Sequence, residues 1–314
     1  FWGVSGAWVI SSEPFMKNQK VVDYLKLRAS FGKAGQSETG VGRYPYQSTY
    51  STATGYGFGY NATGIQGYAE AVIGNENSLW EVSKMLNVGL DWDLWNKKLY
   101  GSFDIWKEWR SNILVTRTNV PDEILGISQA KDSYGKVNSH GFELMLGHRN
   151  KIGKDFKYYI EGQLTFATNK IIDIDEVDPV VEWQRKAGHR IYDETTVANI
   201  YQNGQSQASG IGGWYAYEFV QWASNPDLVA TSQQDAIDHP EKYPYNAASN
   251  GKQQLGTAVF KDINGDRVID SKDMTPSTYT MIPELIPTIN LGFEWKGFDA
   301  HMIVNAYLRR SVFL

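Results

Sequence analysis

The segment WEVSKMLNVGLDWDLWNKKLYGSFDIWKEWR, residues 80–110, reads as two amphipathic β-strands joined by a tight polar turn. In the first strand, Leu86, Val88, Leu90, Trp92 and Leu94 alternate with Asn87, Gly89, Asp91 and Asp93. After the turn Asn96-Lys97-Lys98, Leu99, Gly101, Phe103 and Ile105 alternate with Tyr100, Ser102, Asp104 and Trp106. Strand side chains point to opposite faces at period two, so a slip of one residue would exchange the faces; the pattern therefore specifies the register. Trp80, Trp92, Trp95, Trp106 and Trp109 fall toward the strand ends, where a membrane-spanning hairpin places aromatic rings at the boundary between lipid and water. A hairpin of a soluble β-sandwich shows the same alternation, and this segment alone fits both.

The same rhythm recurs on either side. Val4, Gly6, Trp8 and Ile10 alternate loosely, and a polar connection with room for one helical turn runs from Ser12 to Gln19. Leu25–Phe31 reads as a second strand, closed near Gly32–Gly35. Phe142, Leu144 and Leu146 lead through a short turn at Arg149–Asp155 to Tyr158, Ile160, Gly162, Leu164 and Phe166. A last pair places Ile289, Leu291, Phe293 and Trp295 before the turn Lys296-Gly297 and Phe298, Ala300, Met302, Val304, Ala306 and Leu308 after it. Between these units lie long stretches without clear periodicity, near 36–77, 111–136 and 169–209, and again at 223–255, where helical character is read around Thr231–His239. Gly210–Trp222, with aromatic ends, reads as one more strand. Short turns on one side and long connections on the other are what outer-membrane barrels have.

Composition agrees with an all-β chain. Of 314 residues, 14% are aromatic, 30 are Gly and 10 are Pro, a balance that favours strands and turns. A net charge of −5 offers no basic field, so nucleic acid is excluded as a partner. There is no cysteine, hence no disulfide, thiolate metal site or Cys nucleophile. No run of 18 apolar residues marks a membrane helix, while a mean hydropathy of −0.42 is compatible with strands that show lipid only alternate residues. The chain opens and closes in mid-strand, which reads as a piece of a longer polypeptide whose unpaired edge strands keep it from folding alone.

One local motif could carry chemistry. Asp262, Asn264, Asp266, Val268 (through its carbonyl), Asp270 and Asp273 fall at positions 1, 3, 5, 7, 9 and 12 of a calcium-loop spacing, and Ca2+ is the cofactor this suggests. Arg267 stands where the sharp turn normally takes Gly, and Asp273 replaces the longer bidentate Glu. The alternative is an Asx-rich turn whose carboxylates cap backbone amides. Asp173, Asp175, Glu176 and Asp178 form an acidic run that reads as solvated charge rather than as a catalytic pair. The five histidines lie far apart, and no GxSxG elbow, P-loop or dinucleotide fingerprint is present, so no enzyme is expected. Tyr44, Tyr46, Tyr50, Tyr56, Phe58, Tyr60, Trp183, Tyr192 and Tyr201 in the long connections suit stacking on sugars, packing on a partner or ordering the loops themselves.

Several stretches, in order and spanning nearly the whole chain, resemble SusC/RagA-type TonB-dependent outer-membrane transporters. They are Leu25–Gln36, Asn77–Glu81 with Asn87–Asp91, Gly135–Glu143, Lys261–Asp270 and Lys296–Asp299, together with the opening segment through Trp8. The resemblance implies that residues 1–314 are a C-terminal portion of a plugged transmembrane antiparallel β-barrel of about 22 strands with long extracellular loops. The plug and the TonB-contacting segment would lie upstream, and the closing aromatic-ended strand of the family is not visible. It further implies a bacterial outer-membrane location surrounded by outer-membrane lipid, TonB and a SusD-like lipoprotein as partners, and an oligosaccharide or peptide as cargo. A secreted carbohydrate-binding β-sandwich and a structural barrel or adhesin are the rival readings.

Overall fold

In a computed structural model the described residues are mostly antiparallel β-strand. The structure describes residues 1–36, 44–53, 66–117, 126–129, 131–178, 181–191, 215–222, 258–266, 270–276 and 282–310, with a few isolated positions between them. Two compact units are present, residues 1–177 with 283–310 and residues 178–282 with 311–314.

The first unit is one eight-stranded sheet whose strands we number β1 Trp2–Val9, β2 Val22–Gln36, β3 Glu81–Leu94, β4 Leu99–Val115, β5 Asp132–Ile152, β6 Phe156–Asp173, β7 Leu285–Trp295 and β8 Phe298–Asn305. Each pairs antiparallel with its neighbour in chain order. β3 and β4 face each other from Leu94 opposite Leu99 to Val82 opposite Ser111, as the alternation in residues 80–110 requires. The turn between them holds Trp95, Asn96 and Lys97 at positive φ, a conformation that L-residues keep only when something outside fixes it. Here the Lys97 N–H donates to Asp23 Oδ2 at 2.9 Å and the Trp95 N–H to the Val21 carbonyl at 2.8 Å. The β7–β8 turn is two residues long, with Lys296 and Gly297 both at positive φ, the turn whose twist matches paired strands. The β1–β2 connection contains two short 3-10 turns, Ile10–Ser12 and Pro14–Met16.

Register carries the period-two pattern across the whole sheet. One row runs Gly6, Ala29, Val88, Ile105, Phe142, Phe166 and Leu285; another runs Trp8, Leu27, Leu90, Phe103, Leu144, Leu164 and Pro287. The result is one continuous apolar face, and it is uncovered. Ile105 is 54% exposed, Ile160 49% and Ile289 50%, whereas only Val137 and Ile171 are buried hydrophobics among the described residues. A β-sandwich would bury this face under a second sheet. An apolar face left open across eight strands is the lipid-facing side of a membrane barrel wall. On β3 it spans Leu86 to Leu94, about the length a tilted strand needs to cross a bilayer. No helix among the described residues is long and apolar enough to cross a membrane.

Four sequence expectations change. The wall strands run further than alternation alone shows: β2 continues to Gln36, β4 to Val115 and β6 to Asp173, while β5 begins at Asp132. The stretch 36–77 is not irregular throughout, because Thr49–Ala53 pairs with Gly67–Ile73, which in turn pairs parallel with Ser128–Gln129 of the 111–136 connection. Within the Gly210–Trp222 reading, the described residues 215–222 do not form a wall strand; Tyr215–Tyr217 and Phe219–Trp222 are separate short strands that pair with Met274–Pro276 and Ala258–Phe260 in the second unit. Trp106 is not a boundary residue of the apolar side, since it sits opposite Asn87 on the polar face and lies against Gly141. Of the helical reading at Thr231–His239, residues 231–237 lie outside the described residues, Asp238 is helical and His239 is not.

A charge in the middle of the apolar face tests the assignment. Ile105→Lys is expected to cost about 2–4 kcal/mol of folding stability in a bilayer, and Ser102→Lys on the other face much less. Urea midpoints of the two variants in lipid vesicles measure the difference.

Candidate functional site: the polar face of the sheet

The opposite face of the same strands is polar, and its side chains are organised around glycines. Arg28 on β2 lies across Gly89 on β3, where a Cβ would collide with the Arg28 guanidinium and the Asp104 carboxylate. The guanidinium reaches two carboxylates at once. Nε and Nη2 donate to Asp91 at 2.8 and 2.9 Å, and Nη1 and Nη2 donate to Asp104 at 3.0 and 2.7 Å. Paired, bidentate geometry of this kind is the strong form of an ion pair, and it ties three consecutive strands together.

Nearer the short turns, Tyr100 lies over Gly147 and Tyr159 over Gly292, each ring filling the space its cross-strand glycine leaves open. The Tyr100 hydroxyl donates to Glu161 at 3.0 Å, the Tyr159 hydroxyl to Asn290 at 3.4 Å, and the Arg149 guanidinium stacks over the Tyr100 ring at 4.9 Å. Around them is a hollow of about 710 Å³, also lined by His301, Asp299 and Glu294. Aromatic rings with satisfied polar tips beside mixed charges make a water-compatible surface that can hold polar solutes or a protein face.

At the end with the long connections, ion pairs close the rim. Arg110 pairs with the largely buried Glu81. Arg117 donates to Asp132 at 2.8 Å and to the buried Asp175 at 2.9 Å, while the Asn75 amide donates to Asp132 at 3.2 Å. That knot joins the three long connections where they leave the sheet. The Arg117 guanidinium is held above its ordinary pKa, first by the bond to Asp132 and then by that to Asp175. Buried Glu284 accepts from the Thr168 hydroxyl at 2.5 Å and lies 3.2 Å from Arg309. The acidic run is thus partly structural: Asp173 pairs with Lys136 and Asp175 with Arg117, while within the second unit Asp178 pairs with Arg185. Alternation marks Asp91 and Asp104 as polar-face residues; that Arg28 would join them follows only from the register of β2 on β3.

In the second unit, the calcium-loop residues are engaged with the backbone. Asp273 is fully buried, and its carboxylate accepts the N–H groups of Ile263, Asn264 and Asp270 at 2.8, 3.3 and 3.0 Å. Asp262 accepts from the Gly265 N–H at 2.7 Å, and Asn264 accepts from the Asp266 N–H at 2.9 Å. The Lys272 ammonium sits 3.5 Å from Asp270 and 3.6 Å from Asp266, which raise its pKa in that order. Val268 lies outside the described residues. Among the described residues, no three His, Asp or Glu side chains converge as metal ligands would. Trp183 donates its indole N–H to the Lys272 carbonyl at 3.1 Å, so this ring packs its own unit. Tyr44, Tyr46, Tyr50 and Tyr60 are exposed, while Tyr56, Tyr192, Tyr201 and the Phe58 side chain lie outside the described residues.

No family model matches the chain. It is similar to TonB-dependent receptor P3 of Formosa agariphila, 24% identical over 96% of this chain and 27% of that protein. It is also similar to TonB-dependent receptor SusC of Bacteroides thetaiotaomicron, 25% identical over 98% of this chain and 27% of that protein. Among solved structures it matches the RagAB peptide transporter with a TM-score of 0.63 at 17% identity, over 98% of this chain and 29% of that chain. The RagAB importer in its open-open state matches with a TM-score of 0.66 at 15% identity, over 98% of this chain and 28% of that chain. At such identities the structural match speaks for the fold. The chain spans under a third of the length of these relatives.

Two substitutions probe this geometry. Arg28→Ala leaves two carboxylates facing each other without their cation. The group is partly solvated, so the expected cost is about 1–3 kcal/mol, and Gly89→Val should reproduce most of it by displacing the guanidinium. Thermal midpoints in micelles measure both. Asp273→Ala leaves three amides without their acceptor and is expected to loosen residues 262–273 by about 2–3 kcal/mol, read as faster amide exchange there.

Proposed function

Given that the chain is a SusC/RagA-like relative of the TonB-dependent receptors, we propose that it supplies part of the barrel wall of a bacterial outer-membrane nutrient importer powered through TonB. The observation that carries this reading is the two-sided sheet, with an open apolar face, a charged and glycine-spaced polar face, and long connections at one end only. In this reading the polar face lines the lumen and the long connections face outward. The plug and the TonB-contacting segment belong to the part of the polypeptide that precedes residue 1. The low coverage of the relatives supports such a division of the protein.

The cargo in this reading is an oligosaccharide or a peptide, and a SusD-like lipoprotein covers the outer mouth. The peptide arm is supported by the likeness to the RagAB peptide transporter. Exposed Tyr44, Tyr46 and Tyr50 in the β2–β3 connection provide flat rings suited to either cargo. The relatives are receptors and transporters rather than enzymes, and the task assigned to this chain is passage without chemical turnover.

Deletion of the gene in its source organism tests the proposal. The expected result is loss of growth on one class of glycan or peptide, with the intact protein found in the outer-membrane fraction together with a surface lipoprotein. Unchanged growth on all such nutrients, or a detergent-free soluble protein, would overturn it.

A further inference from the structure

The lipid-facing side is not apolar to its ends. At the end with the long connections, two cross-strand rows bring cations onto it. The upper row runs Trp2, Lys33, Lys84, Trp109 and Asn138, and the lower one Val4, Phe31, Leu86, Lys107 and His140. Lys33 and Lys84 are direct cross-strand partners, and Lys107 is the diagonal neighbour of Lys84. Like charges placed directly opposite repel, so a sheet gains nothing from this pair unless an anion bridges it. Among the described residues, none of the three lysines has a carboxylate partner. Glu81 and Glu108 belong to the other face, where they engage Arg110 and Ser83. Lys107 lies over the Trp109 ring at 5.1 Å, which fixes an ammonium beside an aromatic of the boundary. At the opposite end the same face carries Trp92, Leu94, Leu99, His148, Tyr158, Phe293 and Trp295, with no Lys or Arg in register.

We infer that Lys33, Lys84 and Lys107, flanked by Trp2 and Trp109, form a binding site for the phosphorylated headgroup of an outer-leaflet lipid. The site lies directly above the apolar band. An anion held there has acyl chains below it, along Phe31, Leu86 and Ile105, which makes a lipid the fitting occupant rather than a free phosphate. Three ammonium groups spread over two strand spacings match the several oxygens of a phosphate, and two indoles suit the level where headgroup meets chain. This inference rests on the barrel reading and on the long connections facing outward.

The test uses the full-length protein in phosphatidylcholine nanodiscs with monophosphoryl lipid A, its dephosphorylated form, or inorganic phosphate as probes. The wild-type protein is expected to retain monophosphoryl lipid A at least about tenfold more tightly than the dephosphorylated lipid. The triple variant Lys33→Gln/Lys84→Gln/Lys107→Gln is expected to lose that preference, and the turn variant Lys97→Gln/Lys98→Gln to keep it. Equal retention of the two lipids by the wild-type protein would overturn the site, and that comparison stands even if the triple variant does not assemble. Protection by inorganic phosphate as strong as that by the lipid would also overturn it, as a simple anion site. Failure of the wild-type protein to enter nanodiscs at all would instead strike at the barrel reading.

Discussion

Every backbone N–H and C=O of a strand that crosses lipid has to be paired across the sheet, because hydrocarbon offers no alternative partner. That obligation makes register the governing quantity in this chain. Once β3 and β4 pair with Leu94 opposite Leu99, every later side chain is committed to one of two faces. Eight strands then add their apolar positions into one open band and their polar positions into one charged surface. A single slip would bring Asp91 and Asp104 onto the apolar face and Phe103 onto the polar one, at several kcal/mol for each charge misplaced into lipid.

Glycine gives the polar face its relief. Gly89, Gly147 and Gly292 each lie under a large neighbour, Arg28, Tyr100 and Tyr159 respectively. On the apolar side Gly101 does the same for Trp92. Large groups lying flat over a bare backbone stay in place without a second layer above them. Ion pairs add further ties: Arg28 to Asp104 across β2 and β4, Arg110 to Glu81 within the β3–β4 hairpin, and Arg117 to both Asp132 and Asp175 at the rim. The wall therefore carries its fixed geometry up to the rim, where the long connections leave the sheet.

The hairpins at 80–110 and 289–308 were readable from sequence because both faces differ in polarity over many residues, and the open sheet follows from them. Other features were hidden for definite reasons. The paired segments Thr49–Ala53 and Gly67–Ile73 have small and polar residues on both sides, so no period-two contrast betrays them. Tyr215–Trp222 has the aromatic content of a wall strand, yet its partners, Met274–Pro276 and Ala258–Phe260, come from the same long insertion. Trp106 has the composition of a boundary residue but the wrong parity. For the aspartate loop, spacing alone could not separate metal ligation from amide capping; the structure adds that Asp273 is wholly engaged with three backbone N–H groups. The polar-face cluster was half visible: Asp91 and Asp104 by alternation, and Arg28 only through pairing 63 and 76 residues away.

The central claim is that one face of this sheet meets lipid and the other meets water. These 314 residues hold no cysteine, so single cysteines placed in turn at positions 99 to 109 can each carry a spin label with no competing thiol in this part of the wall. The account predicts that collision with oxygen dissolved in the bilayer peaks at 99, 103 and 105, while collision with a water-soluble nickel complex peaks at 100, 102 and 104. Equal access of the nickel complex to both sets would contradict it, and so would a profile with no period of two.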